Sequence, residues 1–166
     1  DFEKFLYMGQ VMQGDAIKIA VEAHRRNMPF CQGSLYWQHN DCWPAASGWA
    51  MIDYYACPKP SYYAFKRCAK QLMATISESD GKLVMHICND SLASVQGSAS
   101  LYIYNVETGE ERSIAEIKFA IGENSSKNVF ECQYESLKDT MCEKDIILCD
   151  LYSTLGEDRA MLIPRR

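Results

Sequence analysis

The sequence predicts two architectures in one chain: an α/β segment of barrel type over residues 1–77, then an all-β sandwich of immunoglobulin type over residues 78–166. Three observations predict this. Apolar residues recur at spacings of three and four in the first stretch and alternate with a period of two in the second. A polar break containing a glycine, Ser77-Glu78-Ser79-Asp80-Gly81, separates the two rhythms. No helical pattern returns after it, which calls for a layered sheet domain.

The first element is a helix from Phe2 to Asn27, with Phe5, Met8, Met12, Ala16, Ile19 and Ala23 forming one apolar stripe. Arg25-Arg26-Asn27 and then Pro29 suit its C-terminus. Gly9 and Gly14 each weaken it by about 1 kcal/mol relative to alanine, so it needs tertiary support. Gly33-Ser34-Leu35-Tyr36-Trp37 reads as a buried strand, and an aromatic-rich loop runs from Gln38 to about Lys59. A second helix starts at Pro60, a good first-turn residue, with the stripe Tyr62, Phe65, Ala69, Leu72 and Ile76. A single parallel strand with two helices lacks the neighbours that such a strand requires. Either the segment closes a larger barrel, the preferred reading, or it packs unusually on the sandwich.

After the break, Leu83–Cys88, Leu101–Tyr104, Ala115–Ile121, Val129–Tyr134, Ile146–Leu151 and Ala160–Ile163 read as six short strands. Ala115, Ile117, Phe119 and Ile121 share one face and should point inward. Thr108-Gly109 marks a hairpin turn. A sandwich of this type uses about seven strands, so a further one is expected near Leu92–Val95.

Composition limits the function classes. Of the 166 residues 48% are hydrophobic and 23% charged, which fits neither a disordered nor a membrane-embedded chain. The net charge is −5 and no basic cluster exceeds a pair, so no nucleic-acid partner is expected. No apolar run approaches the ~18 residues of a membrane span, and no membrane partner is expected. The chain opens at Asp1-Phe2 without a Met, a basic flank or an apolar leader, and it reads as a piece of something longer. The eight cysteines show no CxxC spacing and no His at finger distance, so neither a zinc site nor any other cofactor is expected. Mostly unpaired, buried thiols are anticipated, behaving as small hydrophobes.

The densest chemical signal is Leu35-Tyr36-Trp37-Gln38-His39-Asn40-Asp41-Cys42-Trp43-Pro44, followed by Trp49 and Ile52-Asp53-Tyr54-Tyr55. All three tryptophans stand here, in a polar loop directly after a strand. Aromatics usually fill cores. Interleaved with Gln, Asn and Asp, however, they also compose a sugar platform: indole faces meet the C–H groups of a pyranose while amides and carboxylates take its hydroxyls. In barrels, the C-terminal ends of the strands are where active sites are built.

These residues, with Lys59-Pro60-Ser61-Tyr62-Tyr63-Ala64-Phe65-Lys66-Arg67 and the upstream Ala16-Ile17-Lys18-Ile19 and His24-Arg25-Arg26-Asn27-Met28-Pro29, resemble the closing barrel segment of β-mannosidases of glycoside hydrolase family 2. The resemblance covers about residues 1 to 70. It departs from the family pattern at His39, where an aliphatic or aromatic residue is commoner, and in residues 47–53, which run one residue longer. It implies that residues 1–77 are the last helix–strand–helix of a (β/α)8 barrel, with Trp37 as the aromatic floor under the sugar. Gln38, Asn40, Asp41 and Trp43 would then rim the substrate pocket, and the partner would be a β-mannoside carbohydrate bound through the parent enzyme. The first half would need the rest of its barrel.

A retaining glycosidase uses two carboxyl groups about 5–5.5 Å apart. The resemblance implies glutamates on the fourth and seventh barrel strands, both upstream of Asp1, so this chain alone is expected to lack catalytic residues and activity. Asp41 and Asp53 are read instead as turn-fixing loop aspartates. Alternatives are a fragment of a related β-galactosidase or exo-β-glucosaminidase, or a non-catalytic carbohydrate-binding or interaction module, although the sandwich strands contain no tryptophan. His24 reads as a solvated helix end and His86 as a sheet residue. Asn89-Asp90-Ser91 and Asn124-Ser125-Ser126 match the glycosylation sequon, a pattern short enough to arise by chance.

Overall fold

The computed structural model describes residues 1–45 and 47–164. The chain divides into two compact units, Asp1–Lys70 and Gln71–Arg166.

The first unit holds two helices, α1 (Phe2–Arg26) and α2 (Pro60–Cys68). Asp1 caps α1 by accepting from the Glu3 amide at 3.1 Å. The face that α1 buries differs from the expected stripe. Gly14, Ile17, Val21, Glu22 and Arg25 are buried, whereas Phe5, Met8, Met12 and Ile19 lie exposed on another side. Both stripes are apolar at helical spacing, so spacing alone does not tell which one α2 covers. Gly14 decides it: a Cβ there would stand 3.4 Å from that of Ala64, and the absence of a side chain lets α2 approach. Ile17, Val21 and Cys68 form a small core, with Tyr36 and Phe65 against it. Arg25 reaches the end of α2, where its Nη1 donates to the carbonyls of Cys68 and Lys70, each at 2.7 Å. A cation meeting unpaired C-terminal carbonyls satisfies the helix dipole.

Two expectations for this half need correction. The second helix stops at Cys68, and residues 72–79 are a strand rather than its last turns. The strand expected at Gly33–Trp37 does not form: these residues join no sheet, and Leu35 is fully exposed. A strand exists only through its ladder partners, and the first unit contains none for this segment.

The second unit is two antiparallel sheets. Its strands are β1 (Leu72–Ser79), β2 (Lys82–Asn89), β3 (Val95–Asn105), β4 (Glu111–Ile121), β5 (Ser125–Gln133), β6 (Asp145–Ser153) and β7 (Gly156–Leu162), with the short helix α3 (Tyr134–Lys138) after β5. One sheet has the order β1-β2-β5 and the other β4-β3-β6-β7. All six expected strands are present. The additional one is β1, not a segment near Leu92, which is 84% exposed. The polar break proves to be its hairpin turn. Ser79 pairs with Lys82 across Asp80 and Gly81, whose φ values of 51° and 73° are those of a two-residue primed turn.

Inner side chains of both sheets share one core, including Ile76, Leu83, Met85, Leu101, Ile147 and Leu151. Phe119 and Ile121 are buried and Ala115 and Ile117 pack on the same core, so that face of β4 points inward as expected. The β3–β4 turn carries Gly109 at φ 75°, and Asn105 Oδ1 accepts from the Glu107 and Thr108 amides. The loop after β2 is organised by Asn89. Its Nδ2 donates to the carbonyls of Ala93 and Gly122 at 2.8 Å, and its Oδ1 accepts from the amide and hydroxyl of Ser91. The first sequon asparagine is therefore a wholly buried loop fastener, while Asn124 is exposed.

All eight cysteines are free thiols. Only Cys68, Cys88 and Cys149 are buried, while Cys42, Cys57 and Cys142 are exposed, so the expectation of mostly buried thiols is corrected. No described helix is long and apolar enough to cross a membrane.

Candidate functional site

The site is the irregular segment between α1 and α2. With no ladder at residues 33–37, the chain is held by side chains instead. Gln13 of α1 donates through Nε2 to the Tyr36 hydroxyl and to the Trp49 carbonyl, both at 2.9 Å, and Tyr36 itself donates to that carbonyl. Burial raises the Tyr36 pKa, partly opposed by the Gln13 hydrogen bond. Its ring tilts against Phe65 of α2, centroids 6.4 Å apart. The Trp37–Gln38 peptide is cis, as is Met28–Pro29.

Beyond Trp37 the loop folds back on itself. The Met51 amide donates to Gln38 O at 3.1 Å, Ile52 to His39 O at 3.0 Å, and the Asp41 amide to Ile52 O at 3.0 Å. Ile52 also bridges to Pro58, and the Lys59 amide donates to Met51 O at 2.9 Å. The loop's own backbone thus replaces the missing sheet partners.

On this scaffold the predicted site residues divide into two groups. Trp37 is 75% exposed and Trp43 67%, so the indoles are presented rather than packed. Gln38 is half-buried, and Asn40 is exposed, with Nδ2 donating to the Asp41 carbonyl at 3.1 Å. Asp41 differs from the others. Its carboxylate is buried and lies 3.0 Å from Lys59 Nζ. Asp53 is a turn-fixing aspartate, as expected, with Oδ1 accepting from the Tyr55 and Cys57 amides. Sequence reasoning missed Lys59, because a loop lysine before a proline carries no pattern that distinguishes it from a solvated one. It also passed over Gln13, a polar residue within an otherwise helical stretch. His24 is exposed as expected, and its Nδ1 lies 2.8 Å from the Ser34 hydroxyl.

A second polar feature belongs to the sandwich. A groove of about 430 Å³ opens on the outer face of the four-stranded sheet, where Tyr102 donates to Asp150 and Arg159 grips the same carboxylate. Arg159 holds the Asp150 carboxyl below its usual range, while burial and that carboxylate push Tyr102 up to about 12. Ser100 likewise donates to Glu116 at 2.8 Å. These groups satisfy one another, which makes the groove a cross-strand network. Among the described residues no cluster of His, Cys, Asp or Glu is arranged to hold a metal ion.

No family model matches the chain. It is 29% identical over 149 residues to β-mannosidase B of Emericella nidulans, a match covering 79% of this chain and 18% of that protein. The structure of the β-D-mannosidase of Dictyoglomus thermophilum superposes with a TM-score of 0.87 at 34% identity, covering 98% of this chain and 20% of that one. The exo-chitosanase of Amycolatopsis orientalis shares the fold, with a TM-score of 0.72 at 19% identity over 95% of this chain and 19% of its own. The chain therefore spans about a fifth of the length of these relatives. In sequence and fold it corresponds to a partial, C-terminal region of its β-mannosidase relatives of glycoside hydrolase family 2.

Proposed function

We propose that this chain is the closing part of a retaining exo-glycosidase that removes terminal, non-reducing β-D-mannose. Residues 1–70 would supply the two closing helices of its (β/α)8 barrel and the segment between them, and residues 71–166 its immunoglobulin-like sandwich. The three-on-four arrangement β1-β2-β5 over β4-β3-β6-β7 supports the sandwich reading. Two apolar surfaces support the barrel reading: the Phe5, Met8, Met12 and Ile19 stripe of α1, and Leu35 in its unladdered segment. Exposed apolar area of this kind marks a missing partner, here the remaining barrel strands and helices.

The observation that carries the functional reading is the set of exposed indoles on a loop braced by its own hydrogen bonds. Trp37 would form the floor beneath the sugar, with Gln38, Asn40 and Trp43 at the rim and Asp41 behind them. Neither the nucleophile nor the general acid is in this chain, so its part is to bind and orient the sugar while two carboxylates upstream perform the displacement. That division of labour predicts no turnover by the 166-residue chain alone on a chromogenic β-mannoside.

In the whole enzyme, Trp37→Ala is expected to lower kcat/KM at least about tenfold while the melting temperature holds. Lost stability with unchanged activity per folded molecule would return Trp37 to a packing role. Parallel assays on β-mannoside, β-galactoside and β-glucosaminide test the sugar, and preference for either of the latter two would overturn mannose. Turnover by the isolated chain, abolished by Asp41→Asn, would overturn the division of labour.

A further inference from the structure

We infer that Asp41 acts on the sugar site as a positioning residue, through Lys59, rather than by accepting a sugar hydroxyl. The inference rests on the reading of the loop as a sugar platform and changes the role of one member. A carboxylate that takes a hydroxyl must face the rim. The Asp41 side chain is only 6% exposed, and its Oδ2 lies 3.0 Å from Lys59 Nζ, itself 16% exposed. The other oxygen lies beside Gly48: a Cβ built there would stand 3.4 Å from Asp41 Oδ1, in van der Waals contact with it.

The pair joins the two ends of the platform. Asp41 lies just after Asn40 and just before Trp43, and Lys59 is the last residue before α2. Backbone bonds reinforce the same closure, because the Asp41 amide meets Ile52 O and the Lys59 amide meets Met51 O. A buried ion pair contributes little net stability after desolvation, yet it fixes one geometry, since displacing either partner strands a charge. Here the fixed geometry is that of the segment carrying Asn40, Trp43 and Trp49.

The test uses the whole enzyme, with Asp41→Asn, Lys59→Met, the conservative Lys59→Arg, and the exchanged pair Asp41→Lys with Lys59→Asp. Peptide-resolved hydrogen exchange reads the loop, and kcat and KM on a β-mannoside read the site. Asp41→Asn and Lys59→Met should each speed exchange at the Met51 and Ile52 amides at least about tenfold, leave β2 and β3 peptides unchanged, and raise KM in step with the loosening. Lys59→Arg should keep both readouts within about threefold of wild type. The exchanged pair should recover loop protection.

If Asp41→Asn raises KM while loop exchange stays at the wild-type rate, Asp41 is a direct sugar ligand and the inference is wrong. Failure of Lys59→Met to loosen the loop would overturn it equally. Should wild-type enzyme hydrolyse no β-mannoside and show no sugar-dependent protection, the platform reading fails. The loop-exchange comparison still decides the ion pair's role in that case.

Discussion

Arg112 of β4 closes on the buried carboxylate of Asp145 at the start of β6, tying the two strands that flank β3. The Cys142 amide donates to Asp145 Oδ2 at 3.0 Å and Asn105 Nδ2 to Oδ1 at 2.8 Å. These bonds, that from Cys142 foremost, hold the Asp145 carboxyl below the usual carboxylate range. A group whose folded pKa is depressed gives stability that is present above its unfolded pKa, about 3.9, and lost as pH falls through the folded value. Denaturant titrations between neutral pH and pH 2 should show this acid loss. Asp145→Asn should flatten that slope and cost about 1.5–3 kcal/mol at neutral pH. An unchanged acid slope in the variant would remove Asp145 from this role.

Two glycines should fail for different reasons when replaced by alanine. At Gly97 a Cβ would stand 2.2 Å from the Tyr152 carbonyl and 2.7 Å from the Phe119 ring, so Gly97→Ala must separate β3 from its neighbour and should cost about 1–3 kcal/mol or more. At Gly81 nothing lies within 4 Å, but φ is 73°. Gly81→Ala should therefore cost only the left-handed penalty of about 1–2 kcal/mol. Asn in place of Gly81 should recover part of that loss, whereas Asn in place of Gly97 should not. Equilibrium unfolding of the four variants tests the contrast.

Asn89→Ala removes four hydrogen bonds at one buried point and takes away the acceptor of the Ser91 amide. A loss of about 2–3 kcal/mol is expected, with faster exchange in residues 90–94. Asn124→Ala, at an exposed turn with φ 39°, gives up only the tolerance of Asn for the left-handed region and should cost about 1 kcal/mol or less. Equal effects at the two sequons would contradict the structural role given to Asn89.

Alkylation should sort the thiols by depth. Cys42, Cys57 and Cys142 are exposed and should react within minutes at mildly alkaline pH. Burial pushes Cys149 up to about 12, with Asp150 adding to it, and Cys68 up to about 11, with Glu22 adding to it. The reactive thiolate is thus almost absent at both, and with Cys88 they should label only on unfolding. Mass-resolved labelling that caught Cys149 early would contradict the packing of β6.

Most of the sandwich was legible because period-two alternation is unambiguous where one face is buried, as in Ala115 to Ile121. The missed strand shows the limit of that signal. Leu72 and Ile76 lie four apart, which suits a helix continuing from Phe65, but on a strand even spacings also share a face. The Asp80-Gly81 pair held the answer, since that dipeptide between apolar stretches favours a hairpin over a domain break. On α1 the difficulty was an excess of apolar residues: two stripes were available, and only the Gly14–Ala64 approach selects one. The site loop was legible in kind, from tryptophans beside amides. Its bracing was not, because Gln13, Tyr36 and Lys59 meet their partners across long stretches of chain and leave no local pattern.

All three tryptophans belong to one exposed loop, and the seven-stranded unit contains none. The chain thereby carries a built-in optical label. Indole emission from it reports the candidate sugar platform alone, while the sandwich is visible only through its tyrosines. A saccharide settling on the loop would change tryptophan emission, whereas melting of the sandwich by itself would leave that emission unchanged. Occupancy of the site can thus be followed through tryptophan emission, without attaching a dye to any of the eight thiols.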